Sequence, residues 1–144
     1  MTLYTIGCTR QPAERFFTTL IRAGVRRLVD VRLRNTSQLA GFAKRDDLAY
    51  LLRVVGGIAY QHEPLLAPSQ PILAAYRATA DWDVYREQFL ALLRDRRVAT
   101  CLDRDAYEAP TVLLCSEPCP ERCHRSLVTE HLSHVWGGLY TVHL

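Results

Sequence analysis

The sequence lacks long apolar runs and the features of an export signal. Its 144 residues contain no apolar run near the ~18 residues that a transmembrane helix needs. The opening Met-Thr-Leu-Tyr-Thr-Ile-Gly has no basic segment and no long apolar core, so we interpret it as a first strand rather than a signal peptide. Repeats and low-complexity tracts are absent as well. We therefore expect a single domain over residues 1–144, a cytoplasmic location and no membrane partner.

Lysine is almost missing: Lys44 stands against seventeen arginines. The net charge of +3 is unevenly spread, with ten Lys and Arg against four Asp and Glu in residues 1–53, and eight against eleven in 54–144. A basic half attracts phosphate groups or nucleic acid. Arginines scattered along helices more often form a solvated face, so nucleic-acid binding stays open without being favoured.

Cysteines are few, odd in number and clustered. They are Cys8, Cys101, Cys115, Cys119 and Cys123. In a chain without an export signal, this set indicates reduced thiols rather than a disulfide framework.

Apolar patterns of strand and helix type alternate along the chain. Strands are predicted over 2–7, 27–32, 58–62, 111–115 and 139–143, and helices over 12–23, 44–55, 71–79, 82–97 and 120–136. A polar loop is expected over 34–41, and three prolines make 63–71 an irregular connection. Such alternation is typical of a mostly parallel sheet with helices on both faces, so we predict a three-layer, Rossmann-like α/β domain.

Two charged residues, Asp30 and Arg32, interrupt a predicted strand and share one of its faces. Burying either charge alone costs on the order of several kcal/mol, so each needs a partner or an open strand end. Two interpretations remain: a structural ion pair that closes the sheet, or a pair at its carboxyl edge that orients a ligand.

The richest segment, residues 115–125, lies between a buried strand and a helix, where open α/β proteins place ligands. Pro120 suits the first helical position, with Cys119 before it as a cap. His124 and Arg125 then fall in the first turns, where free amides favour an anion and lower a thiol pKa. Arg125 offers a planar fork to an anion, or else a surface pair with Glu121.

Three chemical templates compete for this segment. Cys119 and Arg125 have the Cys-x5-Arg spacing of phosphatase loops, although no glycine lies between them. A metal site, with zinc as the metal, would use Cys115, Cys119, Cys123 and His124, although the three-residue spacing departs from the usual zinc knuckle. A cysteine-dependent hydrolase or transferase would use Cys115 as nucleophile and His124 as base.

The first predicted strand ends in Gly7-Cys8-Thr9, where glycine allows close approach of a ligand to the backbone. Cys8 is interpreted either as a small apolar filler or as a reactive thiol.

These motifs resemble those of the bacterial domain-of-unknown-function family 488. The matching stretches are Thr5-Ile-Gly-Cys-Thr9, Asp30-Val-Arg32, Leu113-Leu-Cys-Ser-Glu117 and Cys123-His-Arg125. Cys8 stands where the family commonly has His, Thr9 stands where it has Ser, and Cys119 lies outside the motif. The resemblance implies an α/β fold and a shared site; it implies no reaction, because the family has no settled activity.

The leading hypothesis is an enzyme that acts on a phosphorylated or other anionic small molecule, such as a nucleotide, without a cofactor. Its residues have three assigned roles: anion binding by Arg32, Arg125, Gly7 and Thr9; proton transfer or orientation by Asp30 and Glu117; and nucleophilic or redox chemistry at Cys115, with His124 as base and Cys8 and Cys123 as additional thiols. The alternatives are the metal-binding protein and a non-catalytic module that binds nucleic acid or protein. The hypothesis requires that all three segments meet around one pocket.

Overall fold

A computed structural model describes residues 1–36 and 41–144. The strands are β1 (Thr2–Gly7), β2 (Arg27–Asp30), β3 (Ala59–His62), β4 (Thr111–Cys115) and β5 (Tyr140–His143). The helices are α1 (Ala13–Arg22), α2 (Arg45–Gly56), α3 (Gln70–Thr79), α4 (Trp82–Asp95), α5 (Val98–Cys101) and α6 (His124–Trp136). Short 3-10 turns cover Gly41–Ala43, Pro64–Leu66 and Arg104–Tyr107. Of the predicted loop over 34–41, residues 37–40 lie outside the described residues.

The five strands form one sheet in the order β3-β2-β4-β1-β5, and all four neighbouring pairs are parallel. Parallel pairing follows from the connections, because a chain that returns through a helix re-enters the sheet in the same direction. The register places Gly7 beside Cys115 and Asp30 beside Leu114. The predicted three-layer α/β fold with a mostly parallel sheet is confirmed.

The side chains of alternating strand residues pack into two separate hydrophobic cores, one on each face of the sheet. Phe16, Leu20 and Leu52 of α1 and α2 cover one face. Phe89 of α4 and Leu132 of α6 cover the other face, and all five side chains are fully buried. Nonpolar area removed from water on both faces is therefore the main stabilising contribution. Within the described ranges, no helix combines the length and the apolar character needed to cross a bilayer.

The last helix differs from its predicted span of 120–136. It begins at His124 with Cys123 as the N-cap residue, so the prediction of Pro120 as first helical residue and Cys119 as cap is wrong. Arg122 has a φ of 53°, a left-handed conformation that a helix does not continue through. Residues 116–122 therefore form an irregular connection that follows the carboxyl end of β4.

Strand β2 also ends earlier than predicted, at Asp30 rather than residue 32. The backbone N–H of Arg32 donates to Oδ1 of Asp30 at 3.1 Å. A side-chain acceptor two residues back competes with the strand ladder for that N–H and turns the chain. The side chain of Asp30 thus ends the strand to which it belongs. The short helix α5 and the 3-10 turn after it were not predicted.

We expect Gly7→Ala to destabilise the protein severely, because a Cβ at this position would lie 1.8 Å from the carbonyl oxygen of Glu117. Overpacking of this kind costs about 1–3 kcal/mol or more. Gly41→Ala is the matched control, since its Cβ would meet no heavy atom of the described residues within 4 Å. Urea denaturation of both variants measures the difference, and equal midpoints would contradict the close approach of β1 to residues 117–118.

Candidate functional site

The carboxyl ends of β1, β2 and β4 lie side by side at one edge of the sheet. The chain leaves β1 and β2 toward α1 and α2 on one face, whereas it leaves β4, between them, toward α6 on the other face. Neighbouring strands whose connections diverge in this way open a crevice between their ends, and open α/β proteins bind ligands there. The topology therefore offers a crevice on each side of the end of β4.

A buried ion pair occupies the end of β2. The Nε and Nη2 atoms of Arg32 each donate to the Asp30 carboxylate at 2.8 Å, a two-pronged geometry. Tyr60 OH donates to Oδ2 of Asp30 at 2.6 Å, and Asn35 Nδ2 donates to the same oxygen at 3.3 Å. Asp30 is fully buried and Arg32 is 6% exposed. The remaining N–H of Arg32 Nη2 reaches the carbonyl of Ala43 at 2.8 Å, so this guanidinium is held on several sides.

The hydrogen bonds outweigh the cost of burial for this carboxylate. Burial disfavours its charged form, but the donors on Arg32 and Tyr60 hold the pKa of Asp30 below its ordinary value of about 3.8. Burial, with the hydrogen bond to Asp30, raises the pKa of Tyr60 well above its ordinary range. Asp30 therefore carries a negative charge at neutral pH and Tyr60 remains a donor.

A second buried guanidinium, that of Arg125, lies at the end of β4. Its Nη1 atom donates to Cys115 Sγ at 2.8 Å and to the carbonyl of Glu117 at 2.6 Å, and its Nε donates to Thr5 Oγ1 at 3.3 Å. Arg125 is fully buried, and its Nη2 atom has no hydrogen-bond partner within residues 1–36 and 41–144. Among the described residues no carboxylate forms a salt bridge with it. The expected surface pair with Glu121 is therefore absent.

Two thiols meet beside Arg125. Cys115 Sγ and Cys123 Sγ are 2.7 Å apart, and both residues are buried. Burial and the contact with Cys123 raise the pKa of Cys115. The hydrogen bond from Cys115 lowers the pKa of Cys123, and Arg125 adds to this effect against the opposing effect of burial. Cys123 also lies at the N-cap of α6, where the helix dipole favours negative charge.

His124 links α6 to the end of β2. Its Nε2 atom lies 2.8 Å from the carbonyl oxygen of Val31 and must donate, because a carbonyl only accepts. The ring packs edge-on against Phe89, with ring centres 5.8 Å apart. The neutral imidazole then leaves Nδ1 as its acceptor nitrogen. No hydrogen bond joins His124 to Cys115 in the described part of the chain.

A crevice of about 130 Å³ opens between the ends of β2 and β4. The polar and charged side chains that line it come from the segments after both strands, from α3 and from the start of α6. They are Arg32, Arg34, Arg77, Ser116, Glu117 and His124. Arg34 and Arg77 are exposed at its mouth, and Arg34 donates to Gln70 Oε1 at 3.1 Å. Three guanidinium groups therefore border one crevice that has a single exposed carboxylate.

The structure brings only part of the predicted site together. Arg32, Glu117 and His124 share the crevice. The Asp30 network packs on the face of the sheet covered by α1 and α2, whereas the thiols at Arg125 belong to the opposite core. The two buried arginines therefore do not open into one common pocket, although the residues at the sheet edge connect them.

The residues after β1 lie apart from this crevice. Cys8 is buried, its Sγ atom is 3.8 Å from Arg32 Nη1, and burial raises its pKa. Thr9 Oγ1 donates to the carbonyl of Ser116 at 2.5 Å and lines a different hollow with Arg10 and Arg15. Because Gly7 has no Cβ, the carbonyl oxygen of Glu117 can lie against its backbone, as described above.

The described ranges contain no group of three or more His, Cys, Asp or Glu side chains placed to hold a metal ion. Of the residues considered as zinc ligands, Cys115 and Cys123 touch each other, Cys119 is exposed and Nε2 of His124 is engaged by a carbonyl.

Several contributing residues were not predicted from the sequence. They are Arg34, Asn35, Tyr60 and Arg77 around the ion pair and crevice, and Thr5 beside Arg125. For Tyr60 a signal existed: it lies on the predicted strand that follows the strand of Asp30 in the chain, and a phenol is a suitable donor to a buried carboxylate. Arg77 lies on an exposed helix face and has no comparable signal.

We expect Asp30→Asn to lower the free energy of unfolding by about 3–5 kcal/mol, because it leaves Arg32 buried without its counter-charge. Asp46→Asn makes the same chemical change at an exposed pair with Arg45 and is expected to have no measurable effect. Chemical denaturation at pH 7 compares the two variants. Similar losses in both would contradict the buried ion pair.

Tyr60→Phe is expected to shift acid unfolding to higher pH. Because the folded-state pKa of Asp30 lies below about 3.8, its stabilising contribution is present above that pH and is lost as pH falls through the folded pKa. Removing the Tyr60 donor raises the folded-state pKa and reduces the contribution. Stability measured from pH 7 to pH 2 tests this, with Tyr50→Phe, which is 55% exposed, as the control. An unshifted acid transition in Tyr60→Phe would be the contrary result.

Comparison with known proteins adds a family and no activity. A search of the curated proteins and a search of the solved structures each found no match. The family model described as "Domain of unknown function DUF488" matches residues 12–132, a range that includes Asp30, Arg32 and the whole of 115–125. The chain therefore belongs to the DUF488 family.

Proposed function

We propose that this protein binds a phosphorylated or otherwise anionic small molecule in the crevice between the ends of β2 and β4. The observation that carries the proposal is the grouping of Arg32, Arg34 and Arg77 around one crevice. Guanidinium groups bind phosphate and carboxylate through paired hydrogen bonds, and a crevice concentrates their field.

The arginines contribute in different ways. Asp30 balances the charge of Arg32. Arg32 therefore lines the crevice as a fixed side chain and adds no unpaired positive charge to it. Arg34 and Arg77 have no carboxylate partner among the salt bridges of the described residues, and both side chains are exposed. An anion that enters the crevice would form ion pairs with these two side chains.

The size of the crevice favours the anionic head of a ligand over a whole ligand. Pockets for drug-sized molecules measure roughly 300–1,000 Å³, whereas this crevice measures about 130 Å³. A phosphoryl or carboxylate group would fill it. The remainder of the molecule, a nucleoside for example, would lie toward the exposed Arg34 and Arg77.

Two proton carriers border the crevice, His124 through Nδ1 and Glu117 through its exposed carboxylate. We propose that they transfer protons in a hydrolase or transferase reaction at the bound anion. Asp30 orients Arg32 in this scheme, because hydrogen bonds occupy its carboxylate. Arg125 donates a hydrogen bond to the carbonyl of Glu117 and so fixes the backbone at this residue.

The predicted nucleophile, Cys115, has a different environment. Its side chain is fully buried, and its sulfur contacts Cys123 and Arg125 rather than the crevice. Attack by this sulfur on a bound ligand would first require residues 116–122 to move. We therefore assign the proposed chemistry to the groups that border the crevice.

We expect Arg77→Ala and Arg34→Ala each to weaken binding of inorganic phosphate or a nucleoside monophosphate about tenfold, because a charge-assisted hydrogen bond contributes about 1.5 kcal/mol or more. Arg104→Ala is the matched control: it removes an exposed arginine from the 3-10 turn before β4, at the opposite edge of the sheet. Isothermal titration calorimetry of the full chain measures all three.

Equal affinity in Arg77→Ala, Arg34→Ala and the unmodified chain would overturn the proposal, as would the absence of binding. Titration with a single-stranded oligonucleotide distinguishes the nucleic-acid alternative. Nucleic-acid binding that falls steeply with salt and is weakened equally by Arg104→Ala would indicate a general basic surface instead of this crevice.

A further inference from the structure

The buried cluster behind the crevice combines two features that ordinary packing does not require. Arg125 is a fully buried guanidinium without a carboxylate partner in the described chain, and two thiols lie against each other beside it. A buried positive charge is costly unless a negative charge accompanies it. The groups that can supply one here are the sulfurs of Cys115 and Cys123, the first of which accepts from Arg125 Nη1 at 2.8 Å.

We propose that Cys115 and Cys123 form a redox-active pair that closes reversibly into an intramolecular disulfide. The 2.7 Å between the sulfurs lies close to the ~2.05 Å of an S–S bond, so closure needs only a small shift of the side chains. Disulfide formation does not depend on a ligand in the crevice and goes beyond the function proposed above.

Position in the fold distinguishes the two thiols. Cys123 is the N-cap residue of α6, so its sulfur lies near the free amides and positive dipole of that helix. Cys115 ends the central strand β4, where it pairs with Gly7 of β1 and its carbonyl accepts from the N–H of Cys8 at 3.1 Å, so it has little freedom to move. Cys123 is therefore assigned as the attacking thiolate and Cys115 as the resolving thiol.

The oxidant is a hydroperoxide, and the steps balance as follows. The Cys123 thiolate attacks one peroxide oxygen of H2O2, the O–O bond breaks, and the departing hydroxide takes a proton to become water. Cys115 then attacks the sulfur of the Cys123 sulfenic acid, the S–O bond breaks, and a second water leaves with the Cys115 proton. Two thiols are oxidised by two electrons and one peroxide is reduced to two waters.

The connection from residue 116 to residue 122 gives the oxidant a route to the pair. It is irregular backbone between β4 and α6, whereas the strand and helix on either side are regular. Its opening exposes Cys123 without disrupting the sheet. Cys119 in the same connection and Cys101 are already exposed, so they are the thiols that would be oxidised if accessibility alone decided the outcome.

Peptide mapping of the full chain tests the pair, and Cys119→Ser makes the result unambiguous. In that variant the tryptic fragment 105–122 contains Cys115 as its only thiol, and cleavage after Arg122 places Cys123 in fragment 123–125. After treatment with stoichiometric H2O2, we expect the two fragments to appear joined, with a mass 2 Da below their sum, and dithiothreitol to separate them.

Three further variants complete the design. Cys123→Ala is expected to abolish the joined fragment, whereas Cys101→Ser, at an exposed position, is expected to leave its yield unchanged. Cys115→Ser is expected to accumulate a sulfenic acid on Cys123 that dimedone traps. If a variant fails to fold, mapping of the chain that carries only Cys119→Ser still decides the result. Recovery of Cys115 and Cys123 as free thiols after oxidation of Cys101, or over-oxidation of either without linkage, would overturn the proposal.

Discussion

The carboxyl edge of the sheet depends on how the buried charge of Arg32 is neutralised. A guanidinium removed from water needs an anion and occupied N–H groups, and Asp30 provides the anion from two residues earlier in the chain. Tyr60 and Asn35 then hold the carboxylate from a neighbouring strand and from the following loop. Groups from three segments converge on one carboxylate, so the turn after β2 has a single favourable arrangement. The wall of the crevice is thereby ordered before any ligand arrives, which reduces the entropic cost of binding.

Arg125 is also a buried guanidinium, on the opposite face of the sheet, but different groups accept its hydrogen bonds. Sulfur, hydroxyl and carbonyl acceptors replace the carboxylate. A carboxylate pair keeps its charge from mild acid upward, whereas a thiol pair changes its charge on oxidation. At this edge of the sheet, the charge that balances Arg32 is therefore constant, whereas the charge that balances Arg125 changes with the oxidation state of the thiols. The two arginines connect through Glu117, whose carbonyl accepts from Arg125 and whose side chain lines the crevice beside Arg32.

Much of this architecture could be predicted from residue patterns, and the exceptions have physical causes. The predicted strands overlap all five observed strands. The strongest signal is the continuous apolar run of 111–115, which is buried because helices cover both faces of the sheet. The start of the last helix was predicted four residues too early. Pro120 satisfies the local preference for a first helical residue, whereas the left-handed conformation of Arg122 interrupts the helix and is not visible in the residue pattern. The burial of Arg125 was not predicted, because a pattern of spacing does not show which face of a helix meets the sheet. Of the partners of Asp30, Arg32 was anticipated in one of the two interpretations, an ion pair. Tyr60 was missed because it comes from another strand, and Asn35 because residue spacing does not show a contact made by a loop.

The order of the strands constrains how the sheet is assembled. Among the described strands, β1 pairs only with β4 and β5, the last two in chain order. Because β4 lies between β1 and β2, these two strands are two strand spacings, about 10 Å, apart. A nascent chain that ends before Thr111 therefore has a β2–β3 pair and a first strand with neither of its ladder partners. Completion requires β4 to enter between segments that are already present, a late and non-local event of the kind that slows folding and leaves strand edges open in the meantime. Of the five strands of the sheet, the one that comes first in chain order is thus among the last to be paired.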